Sequence, residues 1–94
     1  MATSLASAKL LLSEAAKRIL RKVDPSQRKA IQEALRRFQQ DPLDSRLRFE
    51  KYVGFENLYT IRATYGLRVY MIDEGDMMMQ IVHIGNHDFA KRRR

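Results

Sequence analysis

The chain has no cysteine and no tryptophan, and only two prolines, four glycines and two histidines in 94 residues. Without thiols there are no disulfides, no thiolate nucleophile and no cysteine-ligated zinc. The same absence fits a reducing compartment, and a cytoplasmic protein is expected. Two histidines leave too few ligands for a structural metal site, so neither metal nor cofactor is expected. Long apolar runs are also missing. Leu10-Leu11-Leu12 and Met77-Met78-Met79 fall far short of the roughly 18 residues that a membrane span needs. No cation precedes Lys9, and the small residues come before the leucines rather than after them, which argues against a secretory signal.

What is present is a globular composition, 45% apolar and 31% charged. Residues 1–94 have room for one domain. A chain of this size buries only about two-thirds of its unfolded surface, so a partner would help it. Acidic residues are scarce relative to basic ones: 18 Lys and Arg stand against 11 Asp and Glu, a net charge of +7. Residues 1–40 hold nine bases and three acids, and residues 41–88 hold five bases and eight acids. The tail, residues 90–94, ends in Lys91-Arg92-Arg93-Arg94. Such a balance points to a polyanion or an acidic protein as partner.

The hydrophobic period divides the chain into a helical half and a strand half. Ala16, Ile19, Leu20 and Val23 recur at helical spacing, with Ser13 placed to cap them. Asp24-Pro25 resets the chain: Asp24 caps a second helix, Pro25 suits its first turn, and Gln27 completes a capping-box-like arrangement. Ile31, Ala34, Leu35 and Phe38 form its stripe, and Asp41-Pro42 ends it. From Leu58 the period becomes two. Tyr59, Ile61 and Ala63 alternate with polar residues, then Leu67, Val69 and Met71 do so. A turn cluster, Asp73-Glu74-Gly75-Asp76, precedes a third apolar strand from Met77 to Ile84, whose methionines read as core. This predicts an antiparallel three-stranded meander with a helical hairpin on its apolar face. Lys9–Leu12 reads either as a short strand or as a backward extension of the first helix.

The register of the first hairpin follows from its apolar residues. A three-residue loop, Thr64-Tyr65-Gly66, with Gly66 in the left-handed conformation, puts Ile61 and Ala63 on one face with Leu67, Val69 and Met71. Thr60, Arg62, Arg68 and Tyr70 share the other, and a one-residue slip would invert both faces. Arg62 and Arg68 then become direct cross-strand neighbours, an arrangement that repels unless an anion sits between them. Two guanidinium forks match a phosphate; fanning out to water, or pairing with an acidic partner, is the other reading. His87 follows the third strand in Ile84-Gly85-Asn86-His87-Asp88 and is placed at the sheet rim beside the basic pair, where an imidazole can exchange a proton near neutral pH. Asp88 either orients it or caps a helix. His83 lies within the strand, on a face that depends on the length of the 73–76 turn, and reads as a packed structural histidine.

The order of two helices, a meander, Leu58-Tyr59-Thr60-Ile61-Arg62, Gly66-Leu67-Arg68-Val69-Tyr70 and Ile84-Gly85-Asn86-His87 resembles the RelE/ParE superfamily of toxin–antitoxin toxins over residues 8–90. The resemblance implies an α+β fold: a short N-terminal strand at Lys9–Leu12, a helical hairpin, and a three-stranded antiparallel meander forming a curved sheet. Its RelE branch implies metal-independent cleavage of mRNA on the ribosome, with the RNA 2′-hydroxyl as nucleophile; its ParE branch implies non-catalytic inhibition of DNA gyrase. Matched by position, Arg62 and Arg68 would stabilise the transition state and His87 would move a proton. Lys51, in the approach to the sheet, would bind substrate, and Tyr70 or Phe89 would stack a base. The family's C-terminal tyrosine is missing. The partners implied are a cognate antitoxin, acidic and partly disordered, in a higher-order complex, together with the ribosome and its message; no membrane and no cofactor are implied.

Overall fold

In the computed structural model, residues 9–76 and 78–86 are described. The order is β1 (Lys9–Leu12), α1 (Glu14–Lys22), α2 (Pro25–Gln40), a 3-10 turn (Ser45–Leu47), β2 (Glu50–Lys51), β3 (Leu58–Thr64), β4 (Leu67–Gly75) and β5 (Met78–Gly85). Both helices begin where side chains can satisfy their free amides. Ser13 accepts from the Ala16 amide at 3.1 Å, and Asp24 from the Gln27 amide at 2.8 Å. Arg28, one turn into α2, reaches back to the end of α1. Its Nε donates to the Leu20 carbonyl at 3.1 Å and its Nη2 to Val23 at 3.2 Å, so one guanidinium closes the hairpin.

Alternation along the strands then decides what the helices cover. Five strands form one sheet in the order β1-β5-β4-β3-β2, with β1 parallel to β5 and the other pairs antiparallel. Lys9–Leu12 is therefore strand, held at the sheet edge by pairing with Met78–Ile81. The meander gains a fourth antiparallel member in β2, whose two residues are too short to carry a periodic signal. The helices lie on one face only, α1 against β5 and α2 against β3. Between the layers Ala16, Ile31, Ala34, Phe38, Leu47, Ile61, Val69, Met71, Met79, Ile81 and Ile84 are buried. Phe38 meets Phe49 with ring centroids 5.2 Å apart, and Phe49 stacks on Tyr59. Each large side chain fully buried here contributes on the order of 2 kcal/mol.

The β3–β4 hairpin has the facing pattern that its apolar residues require: Ile61 pairs with Val69, Thr60 with Tyr70, and Arg62 with Arg68. Its connection differs from the expected one. Thr64 pairs with Leu67 across Tyr65-Gly66, and the extra residue is taken up as a bulge at Ala63. Gly66 is not in the left-handed region, which among glycines is occupied by Gly54 and Gly75. The irregularity sits inside the strand rather than in the loop, so the loop does not need the left-handed glycine.

Candidate functional site

The sheet face away from the helices carries the polar chemistry. Its rows follow from the strand pairings. Arg62, Arg68 and Gly85 are cross-strand neighbours, and so are Glu50, Thr60, Tyr70 and His83 one step along. Arg62 and Arg68 are both half-buried. The Arg62 Nε is buried with no hydrogen-bond partner, and its Cζ lies 5.9 Å from the centre of the Tyr65 ring. Arg68 Nη1 donates to the Tyr65 carbonyl at 3.3 Å. Among the described residues the ion pairs are Lys17–Glu14 and Arg46–Asp44, so neither arginine of this face is neutralised by a carboxylate there. A buried donor without an acceptor costs about 1–3 kcal/mol, and like charges placed directly opposite each other add to that. An oxyanion would relieve both. Tyr65 itself is 89% exposed at the hairpin tip, with its ring beside the Arg62 guanidinium and its backbone carbonyl held by Arg68.

The structure separates the other expected site residues. Tyr70 shares the face of the arginines but is fully buried. Its hydroxyl donates to the Asn86 carbonyl. Tyr52 meets its ring edge-on at 5.9 Å, and His83 packs against it at 5.6 Å. A ring covered in this way does not stack on an incoming base, which corrects the role expected of Tyr70. The segment after β2 brings Tyr52 over it: the Tyr52 amide donates to the Leu58 carbonyl at 2.7 Å, and Gly54 takes φ 94°. Lys51 pairs with Tyr59, whose ring stacks on Phe49 in the helix layer. Its register position is thus on the helix-covered face, opposite to Arg62 and Arg68, and exposed. His87, Phe89 and the tail 90–94 lie outside the described residues.

Two residues of this face were not singled out for it by the sequence. In the sequence Tyr65 is only part of a loop. His83 has the sequence setting of a structural histidine. It is indeed packed, against Tyr70, but on the open face and half-buried. Away from the face, Asp44 holds the 3-10 turn. Its carboxylate receives Arg46 Nη2 at 2.7 Å and Nε at 3.1 Å. That bond, with the Arg46 amide, draws its carboxyl down to about 2. Among the described residues no group of three or more His, Asp or Glu is placed to hold a metal ion, and no helix is long and apolar enough to cross a membrane.

No protein-family model matches the sequence, and no curated protein matches it. Solved structures do match the fold. The RelE–RelB complex of the archaeon Pyrococcus horikoshii OT3 superposes with a TM-score of 0.68 at 14% identity, over 85% of this chain and 94% of that one. The YoeB/ParE toxin of Agrobacterium tumefaciens gives 0.69 at 14% identity, over 84% and 98%. The intact Escherichia coli RelBE toxin–antitoxin complex gives 0.66 at 18% identity, over 84% and 95%. The helical hairpin and five-stranded mixed sheet thus give this chain the fold of the RelE and YoeB/ParE toxin structures.

Proposed function

We propose that the protein is the toxin of a toxin–antitoxin pair and cleaves messenger RNA in the cytoplasm, on the ribosome, without a metal. The observation that carries this reading is the Arg62–Arg68 pair: two guanidinium groups in register on the uncovered face, one with a buried Nε that has no acceptor, both tied to an exposed tyrosine. A scissile phosphate supplies the missing acceptor. As the RNA 2′-hydroxyl attacks the adjacent phosphorus in line, charge builds on the non-bridging oxygens, and preplaced cations stabilise it, typically by a few kcal/mol. The products are a 2′,3′-cyclic phosphate and a 5′-hydroxyl. Tyr65 offers the ring on which a nucleobase stacks, a contact worth about 1–3 kcal/mol. The reaction also needs a proton carrier, which the family resemblance assigns to His87, and phosphate contacts from the basic helices and tail for docking on ribosomal RNA.

Among the structural neighbours, the Escherichia coli RelBE structure is a toxin–antitoxin complex. By the same logic an acidic, partly disordered antitoxin folds over the basic surface of this protein. The test is brief induction followed by primer-extension mapping of transcripts. Cuts within translated codons, lost in Arg62→Ala and Arg68→Ala, support the reading. Intact message together with DNA-damage signalling would replace it with gyrase inhibition.

A further inference from the structure

We propose that His83, in place of His87, is the group that moves the proton on this face. The proposal rests on the ribonuclease reading above and names a catalytic residue for it. Three features aim the imidazole. The first is a break in strand alternation. Met79 and Ile81 are buried on the helix side, and a regular strand would send residue 83 there with them. The pairing instead shifts between Tyr70–His83 and Met71–Ile81, leaving Val82 as the extra residue. That bulge inverts the faces, so Ile84 enters the core and His83 turns to the open side. Bulges that re-aim a side chain are a recurrent device beside active sites.

The second feature is Gly85, the cross-strand partner of Arg68. A Cβ at this position would lie 2.7 Å from His83 Nε2 and 3.3 Å from its Cδ2. The imidazole edge therefore lies down over the glycine, in the row that also holds Arg68 and Arg62. The third is Tyr70, whose buried ring backs the imidazole at 5.6 Å and 55°. The charged or titratable groups described around His83 are Arg68 and Tyr70 from β4, Arg62 from β3, Tyr52 from the segment after β2, and Glu50 at the far end of the Tyr70 row. From β1 the charged residue is Lys9, opposite Met78 at the other end of β5. Of these side-chain types an imidazole alone has an ordinary pKa near neutral pH.

The step balances without another reagent. Neutral His83 takes the 2′-hydroxyl proton. The 2′-oxygen forms a bond to phosphorus, the bond from phosphorus to the 5′-oxygen breaks, and that oxygen leaves with a proton from the imidazolium or from water.

The test is single-turnover cleavage of ribosome-bound message by the full chain between pH 5.5 and 8.5, the span bracketing an ordinary imidazole pKa of about 6.5. The wild-type rate should rise with pH through that range as the imidazole loses its proton. His83→Gln should lower the rate by about a hundred- to ten-thousand-fold and abolish the rise, with KM little changed. Gly85→Ala should slow the reaction by displacing the ring, while His87→Gln should keep the rising limb. Circular dichroism of each variant checks that it folds. A cleaving wild type whose limb survives His83→Gln, or disappears only in His87→Gln, overturns this proposal alone. A wild type that leaves message intact at every pH overturns the ribonuclease reading and this proposal with it.

Discussion

Replacing Arg62 by methionine should stabilise the fold and silence the site. Methionine keeps an unbranched apolar stem of similar reach and removes the guanidinium. The stem contact is kept, and the buried Nε that lacks an acceptor disappears, recovering about 1–3 kcal/mol. Repulsion from Arg68 directly across the ladder goes too, a further 0.2–1 kcal/mol or roughly so. Against this stands the lost contact with the Tyr65 ring at 5.9 Å, worth about 0.5–1 kcal/mol at an exposed position. The balance favours the variant by about 2 kcal/mol, which for a domain of this size raises Tm by about 8–16 °C. The assay is thermal unfolding followed by circular dichroism in phosphate-free buffer, repeated with inorganic phosphate at constant ionic strength. Phosphate should raise the wild-type Tm, since a ligand at a hundred times its Kd stabilises by about 2.7 kcal/mol, and should leave the variant unmoved. The order of stability therefore reverses with the anion. A variant less stable than wild type in phosphate-free buffer, or two proteins that respond equally to phosphate, would refute the reasoning.

Other consequences follow from the same structure. Phe38→Ala empties a fully buried position against Phe49 and should cost about 3–5 kcal/mol in urea unfolding; a loss under about 1 kcal/mol would mean that the helix layer is not where this sheet buries its apolar face. Tyr65→Ala should raise KM for ribosome-bound message by about 5- to 150-fold, the equivalent of one stacking contact of about 1–3 kcal/mol, with kcat nearly unchanged, and Tyr65→Phe should restore it. An NMR titration of Asp44 should place its midpoint at about 2, and Arg46→Ala should return it toward the ordinary value of 3.8. Because the folded carboxyl is the stronger acid, the stabilisation from this turn is complete above the ordinary carboxylate range. It is lost as pH falls through about 2.

The parts legible in the sequence are those with a local cause. Ser13 and Asp24 cap their helices because short side-chain acceptors three residues ahead of a free amide have one obvious use. The pairing of Arg62 with Arg68 follows from apolar alternation together with a short loop, since a one-residue slip would bury charge. What escaped the reading depends on partners far away in the chain. The two residues of β2 form a strand only because β3 offers an edge. Tyr70 is buried because Tyr52 folds over it from a segment with no periodic pattern. The bulge at Val82 leaves no mark in composition, yet it decides that His83 faces Tyr70 rather than the aliphatic core. Gly85 ends β5, as its residue type suggests, but that the imidazole fills the space it leaves is visible only in three dimensions.

The claim on which the rest depends is that the Arg62–Arg68 pair holds a phosphate undergoing in-line attack by its own 2′-hydroxyl. End-group analysis of the fragments cut from ribosome-bound message tests this most directly. Upstream fragments should carry a 2′,3′-cyclic phosphate, and downstream fragments should accept label from polynucleotide kinase without phosphatase treatment, in wild type and not in Arg62→Ala or Arg68→Ala. Downstream fragments bearing a 5′-phosphate, or unchanged cleavage in both arginine variants, would contradict it.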